Sequence, residues 1–149
     1  NKVLSEEDLE TLLNSDRNEM FENIRDAALD GDKIRLNNLL ANFAFSNEDS
    51  FLYINIITYR LIKLLEIHKQ NTNKDDFSVI ISKMRPPIFW KDKPIFLKLL
   101  KKWDKQSVID ALKHLGQTEE KIKKNSALNN LTMVKNSITN ICANSWSSF

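Results

Sequence analysis

Apolar residues recur along this chain at spacings of three and four, a pattern that predicts one helix after another. Ser5-Glu6-Glu7-Asp8 reads as an N-cap followed by an acidic first turn, and Leu9, Leu12 and Leu13 form the apolar face of a short first helix. That helix is expected to end near Asn14, with the polar Asn14-Ser15-Asp16 as a candidate boundary. A second helix is predicted from Asn18 to Asp30 on the stripe Phe21, Ile24 and Ala28, and Gly31 supplies a left-handed turn at its end. Asp32 then caps a third helix with Leu36, Leu39, Leu40 and Phe43 on one face. So little chain separates the two that they should pack as an antiparallel pair.

A long helix is predicted from about Glu48 to Gln70. Ile54, Ile57, Leu61, Leu64 and Leu65 form its stripe, widened by Phe51 and Ile56. Asn71 to Asp76 reads as a loop. Phe77 to Met84 contains Val79-Ile80-Ile81, which favours strand locally, but no partner strand is visible and a short helix is expected. Pro86-Pro87 ends that element, and Pro94 fits the first turn of the next, whose buried side is Phe96, Leu99, Leu100 and Trp103. Asp104 caps a helix with Val108, Ala111, Leu112, Leu115 and Ile122 facing inwards; Gly116 inside it suggests close packing. Ser126 caps a last helix on Leu131, Val134, Ile138 and Ile141, and residues 145–149 read as a loose tail. The pattern sums to an all-α chain of about eight helices, all but the first in one helical bundle.

Composition agrees, because two glycines and three prolines leave few tight turns for hairpins. With Cys142 the sole cysteine, no internal disulfide can form, and a reducing, cytoplasmic home is expected. No apolar run is long enough for a membrane span and no signal-peptide pattern opens the chain. The absence of an initial methionine suggests a piece of a longer protein. Charge is unevenly placed: residues 1–75 carry 9 Lys+Arg against 14 Asp+Glu, and residues 76–149 carry 13 against 6. An acidic half followed by a basic half points to different neighbours for each.

Neither glycine lies in a phosphate-binding loop, so ATP binding by that route is not expected. His68 and His114 lack partners at metal-ligand spacing; His68, ending a helix, is expected to face solvent near the helix dipole. Cys142 reads as a small buried hydrophobe rather than a nucleophile. Glu119 falls on the stripe of Leu112, Leu115 and Ile122, where an unpaired charge is costly, so an ion pair with Arg60 is expected. Lys91, Lys93, Lys98, Lys101, Lys102 and Lys105, with Trp90 and Trp103 nearby, form a candidate basic contact surface. Trp103 itself belongs to the apolar stripe. Two readings stand for this surface: a solvated helix exterior, or a contact for single-stranded nucleic acid or an acidic protein.

Arg85-Pro86-Pro87-Ile88-Phe89-Trp90-Lys91-Asp92-Lys93-Pro94 resembles the R-P-P-x-F-[FW]-K-x-K-P segment of alphaproteobacterial delta subunits of the bacterial DNA polymerase III clamp loader. Downstream, Leu99 to Trp103, Ala111-Leu112-x-x-Leu115 and Thr118-Glu119-x-Lys121-x-Lys123 are similar to the family's following helices in order. Upstream, Met20-Phe21 through Asp26-Ala27-Ala28-Leu29-Asp30-Gly31-Asp32 resembles the helix that opens its collar domain, and Tyr59-Arg60-Leu61 its long helix. The chain departs from relatives in its many Asn, Lys and Ile residues, a drift that suggests an AT-rich bacterial genome, and in Ile122 where relatives often have Cys.

The resemblance implies a division of the chain into the end of a lid domain (residues 1–15), a helical collar or oligomerisation domain (16–144) and a tail (145–149). It implies a non-catalytic structural role in DNA replication: packing beside the collars of other clamp-loader subunits. The sliding clamp would be gripped by an N-terminal domain outside this chain, and DNA touched indirectly or weakly. No catalytic, cofactor-binding or metal-binding residue is carried over. The alternative is a basic helical module that binds single-stranded nucleic acid.

Overall fold

The computed structural model describes residues 6–42, 49–124 and 130–144, and side chains from residue 17 onwards. Among these, every regular element is a helix: α1 (Glu6–Asp30), α2 (Lys33–Asn42), α3 (Ser50–Gln70), α4 (Phe77–Lys83), α5 (Lys93–Lys102), α6 (Lys105–Lys124) and α7 (Asn130–Asn144). The chain is all-α, as its periodicity predicts. One correction concerns the first element. The expected end near Asn14 does not occur, because α1 runs unbroken for 25 residues through Asn14-Ser15-Asp16. Polar residues lower helix propensity by only a few tenths of a kcal/mol each, too little to interrupt a long helix. Phe43, the Ser126 cap and the 145–149 tail lie outside the described residues, as do the side chains of Leu9, Leu12 and Leu13.

The helix ends follow from local chemistry. Gly31 takes φ 74°, the left-handed conformation a glycine adopts without a Cβ penalty. Its N–H meets the Ala28 carbonyl at 3.2 Å, and the Asp32 N–H meets Ala27 at 3.0 Å, the paired bonds of a Schellman turn. Asp32 in turn accepts from the Arg35 N–H at 3.1 Å to start α2. Asn71 and Asp75 brace the loop after α3 with reciprocal bonds of 2.9 and 2.8 Å. Asp76 caps α4 through the Ser78 N–H at 3.2 Å. The local strand preference of Val79-Ile80-Ile81 loses to that cap and to burial of Ile80 and Ile81 on one helical face.

α3 lies at the centre, packing on α1, α4, α5, α6 and α7, most extensively on α6. Its inward residues are Tyr53, Ile54, Ile57, Leu61, Leu64 and Ile67, all buried. Burying each such side chain is worth roughly 1.5–3 kcal/mol, so this helix organises the core. Phe21 of α1 meets Tyr53 edge-on, with ring centroids 4.3 Å apart. Arg17 pairs with the buried Asp49, tying α1 to the start of α3. Between α6 and α7 the buried hydroxyls of Thr118 and Ser137 satisfy each other at 3.1 Å. Gly116 differs from expectation: it is exposed, and a Cβ there would meet nothing within 4 Å, so close packing does not account for it.

Candidate functional surfaces

The segment between α4 and α5 is anchored by Met84 and Ile88, both buried. The Asp92 N–H bonds the Phe89 carbonyl at 2.9 Å, closing a tight turn with Trp90 and Lys91 at its apex. This turn pushes two aromatic rings outward: Phe89 is 57% exposed and Trp90 67% exposed. Their centroids lie 6.0 Å apart, and Lys91 Nζ sits 5.5 Å from the Trp90 ring. Lys93 opens α5 immediately beyond, itself exposed.

The six lysines of the candidate basic surface divide into two groups. Lys102 Nζ donates to the Asp30 main-chain carbonyl at 2.6 Å and lies 3.9 Å from its carboxylate. Lys98 reaches the same carboxylate at 3.3 Å. Both are therefore engaged at the C-terminus of α1, where cations are favoured by the helix dipole. Lys102 thereby helps to close that helix end, while Lys98 stays largely exposed beside the same carboxylate. Lys91, Lys93, Lys101 and Lys105 stay exposed, with no ion pair among the described residues. Trp103 is 1% exposed, core as expected, and its indole donates to the Leu29 carbonyl at 2.9 Å.

The expected pair of Arg60 and Glu119 is not formed. Glu119 meets Lys123 one turn along its own helix at 3.1 Å. Thr118, not Glu119, holds the buried position of that stripe, which leaves the carboxylate at the helix edge. Arg60 instead lies over the Phe96 ring, 4.6 Å from its centroid. Burial lowers its pKa, helped by the neighbouring Arg25 and opposed by Asp92, Asp26 and Glu22.

His68 also departs from expectation. It is half-buried, edge-on to Phe77 at 5.3 Å, and its Nε2 lies 2.7 Å from the Trp103 carbonyl. A carbonyl only accepts, so Nε2 carries the proton. His114 is half-buried beside Thr118 and Ser137, with a buried Nε2 that has no hydrogen-bond partner. Cys142 is fully buried in the core, where desolvation raises its thiol pKa. Among the described residues no three His, Cys, Asp or Glu side chains are grouped to hold a metal ion, and no helix is long and apolar enough to cross a membrane.

Sequence reasoning missed one surface. Leu52, Tyr59 and Ile62 of α3 point away from the core, 43%, 71% and 39% exposed. The signal was an excess of apolar residues in the long helix beyond what a single face can hold. Compared with protein-family models, curated proteins and solved structures, the chain matches none.

Proposed function

We propose that this chain is a non-catalytic structural module of a clamp loader, resembling the collar domain of the DNA polymerase III delta subunit. Its role would be to pack beside related helical domains of the other loader subunits while the sliding clamp is placed on DNA. The supporting observation is the turn from Phe89 to Asp92, inside the segment that carries the resemblance. Its buried Ile88 anchors the segment, while two large aromatic rings face outward on a well-packed helical frame. Exposed rings held on a rigid scaffold suit recognition of another macromolecule. In this reading the domain division at residues 15 and 16 lies within a continuous helix that would carry the lid into the collar. The test is reconstitution: the full-length chain, mixed with the other purified loader subunits, should co-elute as one complex. Failure to associate would overturn the reading.

A second reading draws on the same turn. Trp90 and Lys91, followed by Lys93, place a stackable ring among cations, the combination that binds single-stranded nucleic acid. Fluorescence titration with an oligonucleotide should then show affinity that falls steeply with salt and drops about tenfold or more in Trp90→Ala. Salt-independent or absent binding would remove this reading.

A further inference from the structure

We propose that the turn from Phe89 to Asp92 is a peripheral membrane anchor, which sets its two aromatic rings into the interface of a bilayer rich in anionic lipid. This goes beyond the scaffold reading, because it gives the chain a surface to rest on whatever it assembles with.

Phe89 and Trp90 are 57% and 67% exposed, and the bond from the Asp92 N–H to the Phe89 carbonyl holds them in a tight turn. Pro86 and Pro87, just before them, are exposed as well. Met84 and Ile88 are buried and fix the base of the segment, so little ordering remains to be done on contact. Clustered exposed apolar residues of this kind mark contact sites for proteins or membranes. Trp suits the headgroup level of a bilayer, where the ring is in apolar surroundings and its N–H stays wet. Rings raised on a turn can enter such an interface as a wedge. Platforms for single strands lie instead along a basic groove that tracks the phosphate backbone. No described helix is long and apolar enough to cross a bilayer, so the contact is with its surface.

Charge specifies the lipid. From Phe77 to Trp103 the chain carries seven cations and one acid, Asp92. Lys98 and Lys102 are turned to Asp30. Lys83, Arg85, Lys91, Lys93 and Lys101 are exposed and outside any ion pair among the described residues. The neighbouring acids do not cancel this charge. Asp92 is half-buried, and its field falls on the half-buried Arg60 guanidinium. Asp76 is bonded to the Ser78 N–H at the far end of α4, with Asp75 just before it, about 10 Å of helix from Lys83. The segment is therefore positive around its rings, and an anionic leaflet complements it. Each cation held at such a leaflet multiplies binding about fivefold. Stable anchoring takes two signals, and this turn joins an apolar wedge to a basic surround.

The test sediments the full-length chain with vesicles of equal parts phosphatidylglycerol and phosphatidylcholine, and with vesicles of phosphatidylcholine alone. Binding to the anionic vesicles is expected, weakening as salt rises, with little binding to the neutral ones. Phe89→Ala/Trp90→Ala should bind about tenfold or more weakly. Lys91→Gln/Lys93→Gln should lose about 25-fold, two charges at about fivefold each. Both variants change exposed side chains and should melt as wild type does. Lys113→Gln, an exposed lysine on α6, should bind vesicles as wild type. Lipid brominated high in its acyl chains should quench the tryptophan fluorescence of wild type, and Trp90→Phe should remove that quenching. Equal binding to both kinds of vesicle, binding to neither, or an undiminished Phe89→Ala/Trp90→Ala variant overturns the anchor. A single-stranded oligonucleotide that binds through these residues while vesicles do not also overturns it, and leaves the turn to nucleic acid. Vesicle binding that disappears once the other loader subunits assemble with the chain overturns it too, because the turn is then a subunit contact. The scaffold reading is decided separately, by reconstitution without lipid.

Discussion

The indole Nε1 of Trp103 donates to the carbonyl of Leu29 at 2.9 Å, fastening the end of α5 to the end of α1. A helix leaves its last four carbonyls without an internal partner, here those of Ala27, Ala28, Leu29 and Asp30. Each finds a donor: the Asp32 N–H, the Gly31 N–H, the Trp103 indole and the Lys102 ammonium. Two of the four come from chain more than 70 residues away. Trp103→Phe keeps a ring but strands a buried acceptor, so it should cost about 1–3 kcal/mol. Lys102→Met should cost about 0.5–1.5 kcal/mol, and Lys98→Ala, on an exposed pair, less than about 0.5 kcal/mol. Urea unfolding of the three variants should return that order; a Lys98 effect equal to that of Trp103 would refute this account of the helix end.

This junction marks where sequence reasoning stops. Helix starts at α2 and α6 were legible because Asp32 and Asp104 act on backbone only three residues away. Prolines around α5 are equally local. Charge counting found the lysines, but which carboxylate sits beside Lys98 depends on a fold contact 68 residues distant. His68 was misplaced for the same reason, since its acceptor is 35 residues away. The exposed Leu52 and Ile62 of α3 were hidden because an exposed Leu or Ile reads like a core residue until the second face is known to be solvent.

Gly116 tests the correction made inside α6. It lies in a helix interior, exposed, with open space where a side chain would sit. Glycine is entropically unfavourable in such a place, and no positive φ requires it. Gly116→Ala should therefore stabilise the fold by about 0.4–1 kcal/mol. Destabilisation in a thermal melt would mean that this surface is covered by something in the state measured.

Asp104 accepts from the Ser107 hydroxyl and the Ser107 N–H, each at 2.7 Å. These bonds hold its carboxyl below the usual carboxylate range. A depressed folded-state pKa means the contribution is present above the unfolded value near 4 and is lost as pH falls through the folded one. Asp104→Ala should cost about 1 kcal/mol at pH 7. The gap between wild type and variant should close on acidification, which unfolding curves at a series of pH values between neutral and acid can follow.

Cys142 gives the opposite slope. Desolvation raises its thiol pKa above the ordinary value, so the folded state favours the neutral form. The associated stability is held below about pH 8.5, the unfolded value, and is lost as pH rises through the folded one. Cys142→Ala should lack this alkaline component, although it also leaves a small cavity. A thiol reagent at pH 8 should label native protein far more slowly than urea-unfolded protein, because the thiolate is the reactive species. Equal rates would place the thiol at the surface.

Arg60 supplies the sharpest separation between what charge patterning suggests and what packing decides. Its guanidinium lies over Phe96, and its buried Nη1 has no hydrogen-bond partner, so the residue is held by ring contact and aliphatic packing more than by pairing. A double-mutant cycle between Arg60→Met and Phe96→Leu should give a coupling of about 0.5–2 kcal/mol. The same cycle with Glu119→Gln should fall within about 0.5 kcal/mol of zero, because that carboxylate is turned to Lys123. Since a desolvated, incompletely paired cation contributes little net stability, Arg60→Met alone should be close to neutral or mildly stabilising. A coupling to Glu119 above about 1 kcal/mol, insensitive to salt, would restore the buried pair and displace the Phe96 contact as the reason Arg60 sits where it does.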